Sequence, residues 1–148
     1  MSSPVVAFAS DHGGFELKCL LLAVLISEGW TVLDLGTDSA GAVDYPDIAE
    51  RLVASILDKR AGVGVLLCGS GIGIGIAANR FHGIRAAICA NATMARLARA
   101  HNDANVLALG ARVMGYEVAR DCLRTFLATP FDGGERHERR IAKLDILG

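Results

Sequence analysis

The chain has little of what common binding functions require. Lys and Arg number 15 against 16 Asp and Glu, so no global charge draws it to nucleic acid or to an anionic membrane. Its longest apolar run, Cys19–Ile26, falls far short of the ~20 residues a membrane span needs. Four cysteines, Cys19, Cys68, Cys89 and Cys122, are widely scattered, with no Cys-x-x-Cys and no histidine at zinc-ligand spacing. No basic stretch followed by an apolar one stands at the start. These absences set the expectation of a cytoplasmic protein with reduced thiols and neither metal nor cofactor. Aromatic residues are 5% of the chain, so aliphatic side chains and alanine must build the core. At 148 residues the size suits one domain over 1–148.

What is present centres on Val63–Asn79. An apolar run from Val63 to Leu67 has the length and branching of a buried strand and ends in Cys68. Gly69, Gly71, Gly73 and Gly75 then alternate with small or apolar residues before Ile76-Ala77-Ala78. A strand, a glycine turn and a helix start expose backbone N–H groups, where an anion is stabilised. The common phosphate motifs are absent. A dinucleotide fingerprint from Gly69 needs glycine at position 74, which is Ile74, and no Gly-Lys-Ser/Thr occurs. Cys68 is then a base, a nucleophile or a core filler.

Along the chain, strands are expected at Val5–Ser10, Thr31–Leu35, Val63–Cys68, Ile84–Cys89 and Val106–Leu109. Helices are expected from Phe15 to about Glu28, from Asp44 to about Asp58, to about Asn79, over Ala92–Ala100 and Gly115–Leu127, and over about 135–147. Glu16, Lys18, Ser27 and Glu28 mark the wet ends of the first helix, and Cys19, Cys89 and Cys122 read as core fillers. Strand–helix alternation favours an α/β fold of three layers, a Rossmann-like, doubly wound, five-stranded parallel sheet with helices on both faces. Ligands bind such sheets beyond the carboxyl ends of the strands. Those ends carry Asp11 and His12, Gly36-Thr37, Cys68-Gly69-Ser70, Asn91, and Gly110 with Arg112. Asp11 suits a hydroxyl, a cation or a helix N-cap. Arg136 and Arg140 share one helix face, as a phosphate site or as a solvated face with Glu135 and Glu138. His101 and Asn102 close a helix, as a cap or as site groups.

The order and spacing of several fragments resemble the ribose-5-phosphate isomerase B family, which includes the galactose-6-phosphate isomerases. These are Ser-Asp-His-Gly-Gly-Phe at 10–15, Gly36-Thr37, Asp44-Tyr45-Pro46 and Cys-Gly-Ser-Gly-Ile-Gly at 68–73. Ala77-Ala78-Asn79-Arg80, Gly83-Ile84-Arg85-Ala86, His101–Val106, Gly110-Ala111-Arg112 and Arg136-His137-x-x-Arg140 continue the pattern. The resemblance implies metal-free aldose–ketose isomerisation of ribose 5-phosphate to ribulose 5-phosphate through an enediol(ate). Allose 6-phosphate, galactose 6-phosphate or a tetrulose phosphate are the alternative substrates. It implies Cys68 as the base and the amides of Gly69, Gly71 and Gly73 on the developing oxyanion, with Ser70 and Asn102 assisting. Asp11 would handle hydroxyl protons and His101 would open the furanose ring. His12, Arg112, Arg136 and Arg140 would hold the phosphate, with His137 nearby. The family's site lies between two subunits, which implies a homodimer with shared active sites, or a tetramer, and a C-terminal helix reaching a partner subunit. One departure stands out: Glu135 separates Gly133-Gly134 from Arg136, where the commoner family form runs Gly-Gly-Arg-His.

Two readings from other classes also bear on these residues. A receiver-like module needs clustered acids after the first strand and a lysine after the last, where this chain has only Asp11 and Arg112. A cysteine hydrolase would use Cys68 with His101 and Asn102.

Overall fold

Along the strand β3 (Val63–Cys68), successive side chains serve opposite cores: Val65 and Leu67 one, Leu66 and Cys68 the other. That alternation is what a strand covered on both faces requires. The computed structural model describes residues 3–147. In it β3 is the centre of a five-stranded, all-parallel sheet. Its companions are β1 (Val6–Ser10), β2 (Val32–Asp34), β4 (Ala86–Ile88) and β5 (Val106–Gly110), in the order β2-β1-β3-β5-β4. β1 and β5 flank β3, with Ser10 beside Leu67 and Gly110 beside Cys68. The connection out of β1 leads to β2 on one side and the connection out of its neighbour β3 leads to β4 on the other, and such a switch point opens a crevice at the strand ends.

One face is covered by α1 (Phe15–Ser27), α4 (Ala92–Asn102) and α5 (Tyr116–Ala128). Their Leu21, Leu25, Ala95, Leu123 and Phe126 pack on Phe8, Val65 and Leu107. The other face is covered by α2 (Tyr45–Leu57) and the short α3 (Ile72–Ala78), through Ile48, Leu52, Val53 and Ile74. The final helix, α6 (Glu135–Ile146), buries none of its residues and touches α4. No helix among the described residues is long and apolar enough to cross a membrane.

Three expectations need correction. Lys18 is not at a wet end: it is fully buried, and its Nζ donates to Asp34 Oδ1 at 2.7 Å and to the Thr37 carbonyl at 2.6 Å. Its long apolar stem crosses the core to reach those partners. Cys19, next to it, faces outward and is exposed, whereas Cys89 and Cys122 are buried as expected. β4 is shorter than Ile84–Cys89, and side chains engage the amides at its start. Asn105 Oδ1 accepts from Arg85 N–H at 2.8 Å, and Asn79 Oδ1 accepts from Ala86 N–H at 2.8 Å.

Candidate active site

Cys68 ends β3 beneath the glycine turn and is 5% exposed. Its Sγ accepts the Gly71 N–H at 3.1 Å. That contact needs Gly71 at φ +79°, and a Cβ there would lie 2.8 Å from the Leu109 carbonyl carbon. Only glycine serves both demands. Ser70 Oγ accepts the Ile72 N–H at 3.1 Å, while the N–H groups of Ser70 and Gly73 take no acceptor among the described residues.

Three further segments converge on this turn. Asp11 follows β1, is buried, and caps the short 3-10 turn His12–Gly14 by accepting the Gly14 N–H at 3.1 Å. A Cβ on Gly13 would lie 3.3 Å from both Asp11 Oδ1 and Gly69 N, so the two loops are in near contact. His12 Nδ1 accepts the Val43 N–H at 3.2 Å, which assigns the neutral ring's proton to Nε2. Tyr45 lies over Gly73, where a Cβ would come within 2.7 Å of the phenol ring. The Arg112 side chain runs beside Gly69 and, among the described residues, forms no ion pair. Asp11, His12, Cys68, Gly69, Ser70, Gly71, Gly73 and Arg112 therefore share one edge of the sheet, the one formed by the carboxyl ends of its strands.

The remaining expected site residues form a second group. His101 and Asn102 end α4, and the His101 ring stacks on His137 of α6 with centroids 4.5 Å apart and planes inclined by 10°. Asp132 Oδ2 stands 4.0 Å from His101 Nε2. Desolvation, then the neighbouring His101 and Arg136, lower the His137 pKa from its ordinary value, against the opposing charge of Asp132. Donor atoms of His101, Asp132 and His137 lie within 4.8 Å of one another. Imidazole lone pairs lie in the ring plane, so two nearly parallel stacked rings point side by side and do not converge on one metal position. Arg136, Arg139 and Arg140 make no ion pair with Glu135 or Glu138 among the described residues. Glu135 is the first residue of α6 and Gly134 its N-cap, so the extra residue is absorbed into the helix start.

The two groups sit at opposite edges of the sheet. α4 starts beyond the end of β4 and runs back to the edge where β5 begins, and the Asn102 carbonyl accepts from Arg85 at the start of β4. At that same edge Gly64 N–H donates to the Asn105 carbonyl at 2.9 Å. From Gly64 to Cys68 the strand climbs away by about 13 Å. Within one chain, His101, Asn102, Arg136, His137 and Arg140 thus do not reach Cys68. A cavity of about 560 Å³ also lies at the far edge, lined by Phe81, Ile84, Arg85, Asn102, Leu144 and Leu147 among others.

Two residues that hold this framework escape a reading by residue type. Lys18 looks like a helix-surface lysine because it is charged and stands two positions after Glu16 at the start of the helix. Arg85 looks like a charge at a strand start, and only the fold shows how many carbonyls it meets.

Comparison with known proteins agrees with this architecture. Residues 6–144 match the family model described as ribose/galactose isomerase. The chain is 43% identical over 142 residues to ribose-5-phosphate isomerase B of Escherichia coli, covering 96% of this chain and 95% of that protein. It is 42% identical over 130 residues to a D-erythrulose-4-phosphate isomerase of Pectobacterium atrosepticum, covering 87% of this chain and 86% of the other. A solved ribose 5-phosphate isomerase from Thermotoga maritima superimposes with a TM-score of 0.96 at 53% identity, over 99% of this chain and 100% of that one.

Proposed function

The chain belongs to the ribose/galactose isomerase family, an isomerase enzyme of the sugar phosphate class, and we propose that it interconverts ribose 5-phosphate and ribulose 5-phosphate with Cys68 as the base. The observation that carries this reading is the Cys68 sulfur, held by the Gly71 N–H at 3.1 Å under a turn that Asp11 and Arg112 approach at Gly69.

The reaction removes a proton from C2 of the open-chain aldose and returns one to C1, while negative charge builds on oxygen. It needs a positioned base and preorganised donors. Cys68 Sγ takes the C2 proton and gives it to C1. The amides of Gly69, Gly71 and Gly73 line the turn over the sulfur, and the Gly69, Ser70 and Gly73 N–H groups are available donors for the enediolate oxygen. Asp11 carries hydroxyl protons between the neighbouring oxygens. Ring opening falls to His101, and Asn102 assists at the enediolate. His12, Arg112, Arg136 and Arg140, with His137 nearby, hold the phosphate, whose binding energy positions the reacting carbons.

This division of labour requires a second copy of the chain. Because His101, Asn102 and the α6 arginines lie at the edge away from Cys68, they serve the cysteine edge of a partner related by a two-fold axis. The enzyme in this reading is a homodimer with two shared sites, α6 reaching across.

A relative that isomerises D-erythrulose 4-phosphate at similar identity supports the second reading, the same chemistry on another sugar phosphate. The test is aldose–ketose interconversion followed by NMR over C4, C5 and C6 sugar phosphates, with EDTA present, for wild type and Cys68→Ala. Ribose 5-phosphate turned over well above the others, and lost in the variant, is the expected result. A C4 or C6 preference would keep the mechanism and change the substrate. No turnover of any sugar phosphate, or full activity in Cys68→Ala, would overturn the reading.

A further inference from the structure

The Gly83-Ile84-Arg85-Ala86 motif has no part in the chemistry above, yet Arg85 occupies the most heavily bonded cationic position among the described residues. Its side chain is 18% exposed. Nε donates to the carbonyls of Asn102 and Asp103, each at 3.1 Å. Nη1 donates to Asp145 of α6 at 3.1 and 3.3 Å, a grip on both carboxylate oxygens. Nη2 stands 3.6 Å from Asp103 Oδ2. One guanidinium therefore joins the start of β4, the end of α4 and the last turn of α6.

α6 has few other anchors. None of its residues is buried. At its N-terminal side the Asp132 N–H donates to the Ala100 carbonyl at 3.0 Å, and His137 stacks on His101. At its C-terminal side the Arg85–Asp145 pair is the ion pair that ties it down. At about 100° per residue, Asp145 lies some 40° around the helix from the half-buried Ile141 and about 180° from Arg136. The clamp thus holds the inward face while Arg136 points away from the chain's own core.

We infer that Arg85 is a positioning residue whose grip on Asp145 sets the direction in which α6 presents Arg136 and Arg140 to the substrate phosphate. The inference rests on the reading above, in which those arginines bind phosphate at the partner's cysteine edge. An ordinary surface ion pair contributes little because two mobile side chains must be ordered. Here the guanidinium is already fixed by the two carbonyls, so less freedom is lost when Asp145 docks.

The sign of the effect separates the clamp from simple electrostatics. Removing the Asp145 carboxylate leaves the region more positive, which by Coulomb attraction alone would tighten phosphate binding. Loss of the clamp weakens it. The test compares wild type, Asp145→Asn and, as a control that removes the same charge from an exposed position on α5, Asp121→Asn. It reads kcat and KM for the sugar phosphate turned over, and the dissociation constant of inorganic phosphate. For Asp145→Asn the expected result is KM and the phosphate dissociation constant raised together, by up to about fivefold, with kcat within about twofold. Asp121→Asn should match wild type. Unchanged or tighter phosphate binding in Asp145→Asn would overturn the clamp. Wild type that turns over no sugar phosphate would instead overturn the functional reading, and the phosphate titration would still decide the clamp.

Discussion

The His101 and His137 rings stack 4.5 Å apart with planes inclined by 10°, joining the end of α4 to the first turn of α6. An aromatic pair of this kind contributes about 0.5–1.5 kcal/mol beyond the area it buries. In the proposed function, the stack gives the group assigned to ring opening and the helix assigned to the phosphate a common support. His137→Ala should therefore lower kcat as well as raise KM, because His101 loses the surface that orients it. His137→Phe keeps an aromatic face and should retain more of kcat while still weakening phosphate binding. Steady-state kinetics on the two variants checks this, and equal loss of kcat in both would remove the stack from the account.

A second expectation concerns the turn over the cysteine. Gly71 has φ +79° and no room for a Cβ. Gly71→Ala combines left-handed strain with overlap on the Leu109 backbone, so it should destabilise the fold by about 2 kcal/mol or more. It should also displace the N–H that now reaches Cys68 Sγ. Denaturant unfolding measures the first effect, and turnover measures the second.

The Lys18–Asp34 pair yields a third. Lys18 is buried while the Asp34 side chain is 49% exposed, at an N–O distance of 2.7 Å. Asp34→Asn keeps an acceptor oxygen for the Lys18 ammonium but removes its counter-charge, leaving the buried cation among neutral carbonyls. The expected cost is about 2 kcal/mol, less than for a fully buried pair because water reaches the aspartate side. Thermal melts of the variant and of wild type test it. Thr37 N–H donates to the Ser10 carbonyl at 2.8 Å, immediately before Asp11, so a modest fall in turnover should accompany the lost stability.

Much of the sheet was legible in the sequence because each strand is a short apolar run closed by a polar or glycine signal. Val63–Leu67 before Cys68-Gly69-Ser70 is the clearest case, and the residues expected at the strand ends do gather at one edge. Local patterning could not see what long side chains reach. Lys18 follows the polar Glu16 in sequence but spans the core to Asp34, and Arg85 stands just before a strand yet bonds to the two carbonyls at the end of α4 and to a helix sixty positions away. The start of β4 carries a related feature, since Asn105 and Asn79 capture the Arg85 and Ala86 amides that sequence patterning assigns to a strand ladder. Residue types left His101, Asn102, Arg136 and Arg140 open between capping or solvated faces and site groups, and the family resemblance assigned them, with His137, to a site shared with a partner subunit. The direction of α4 puts them at the edge opposite Cys68.

That separation makes subunit mixing the most direct measurement. Cys68→Ala and His101→Ala, each impaired alone, are unfolded together in equal amounts and refolded, and turnover of ribose 5-phosphate is read. In a dimer with shared sites, half of the randomly assorted dimers are mixed, and each mixed dimer holds one site with both Cys68 and His101 intact. The account predicts activity rising to about a quarter of the wild-type value. A mixture no more active than the mean of the two variants would contradict it.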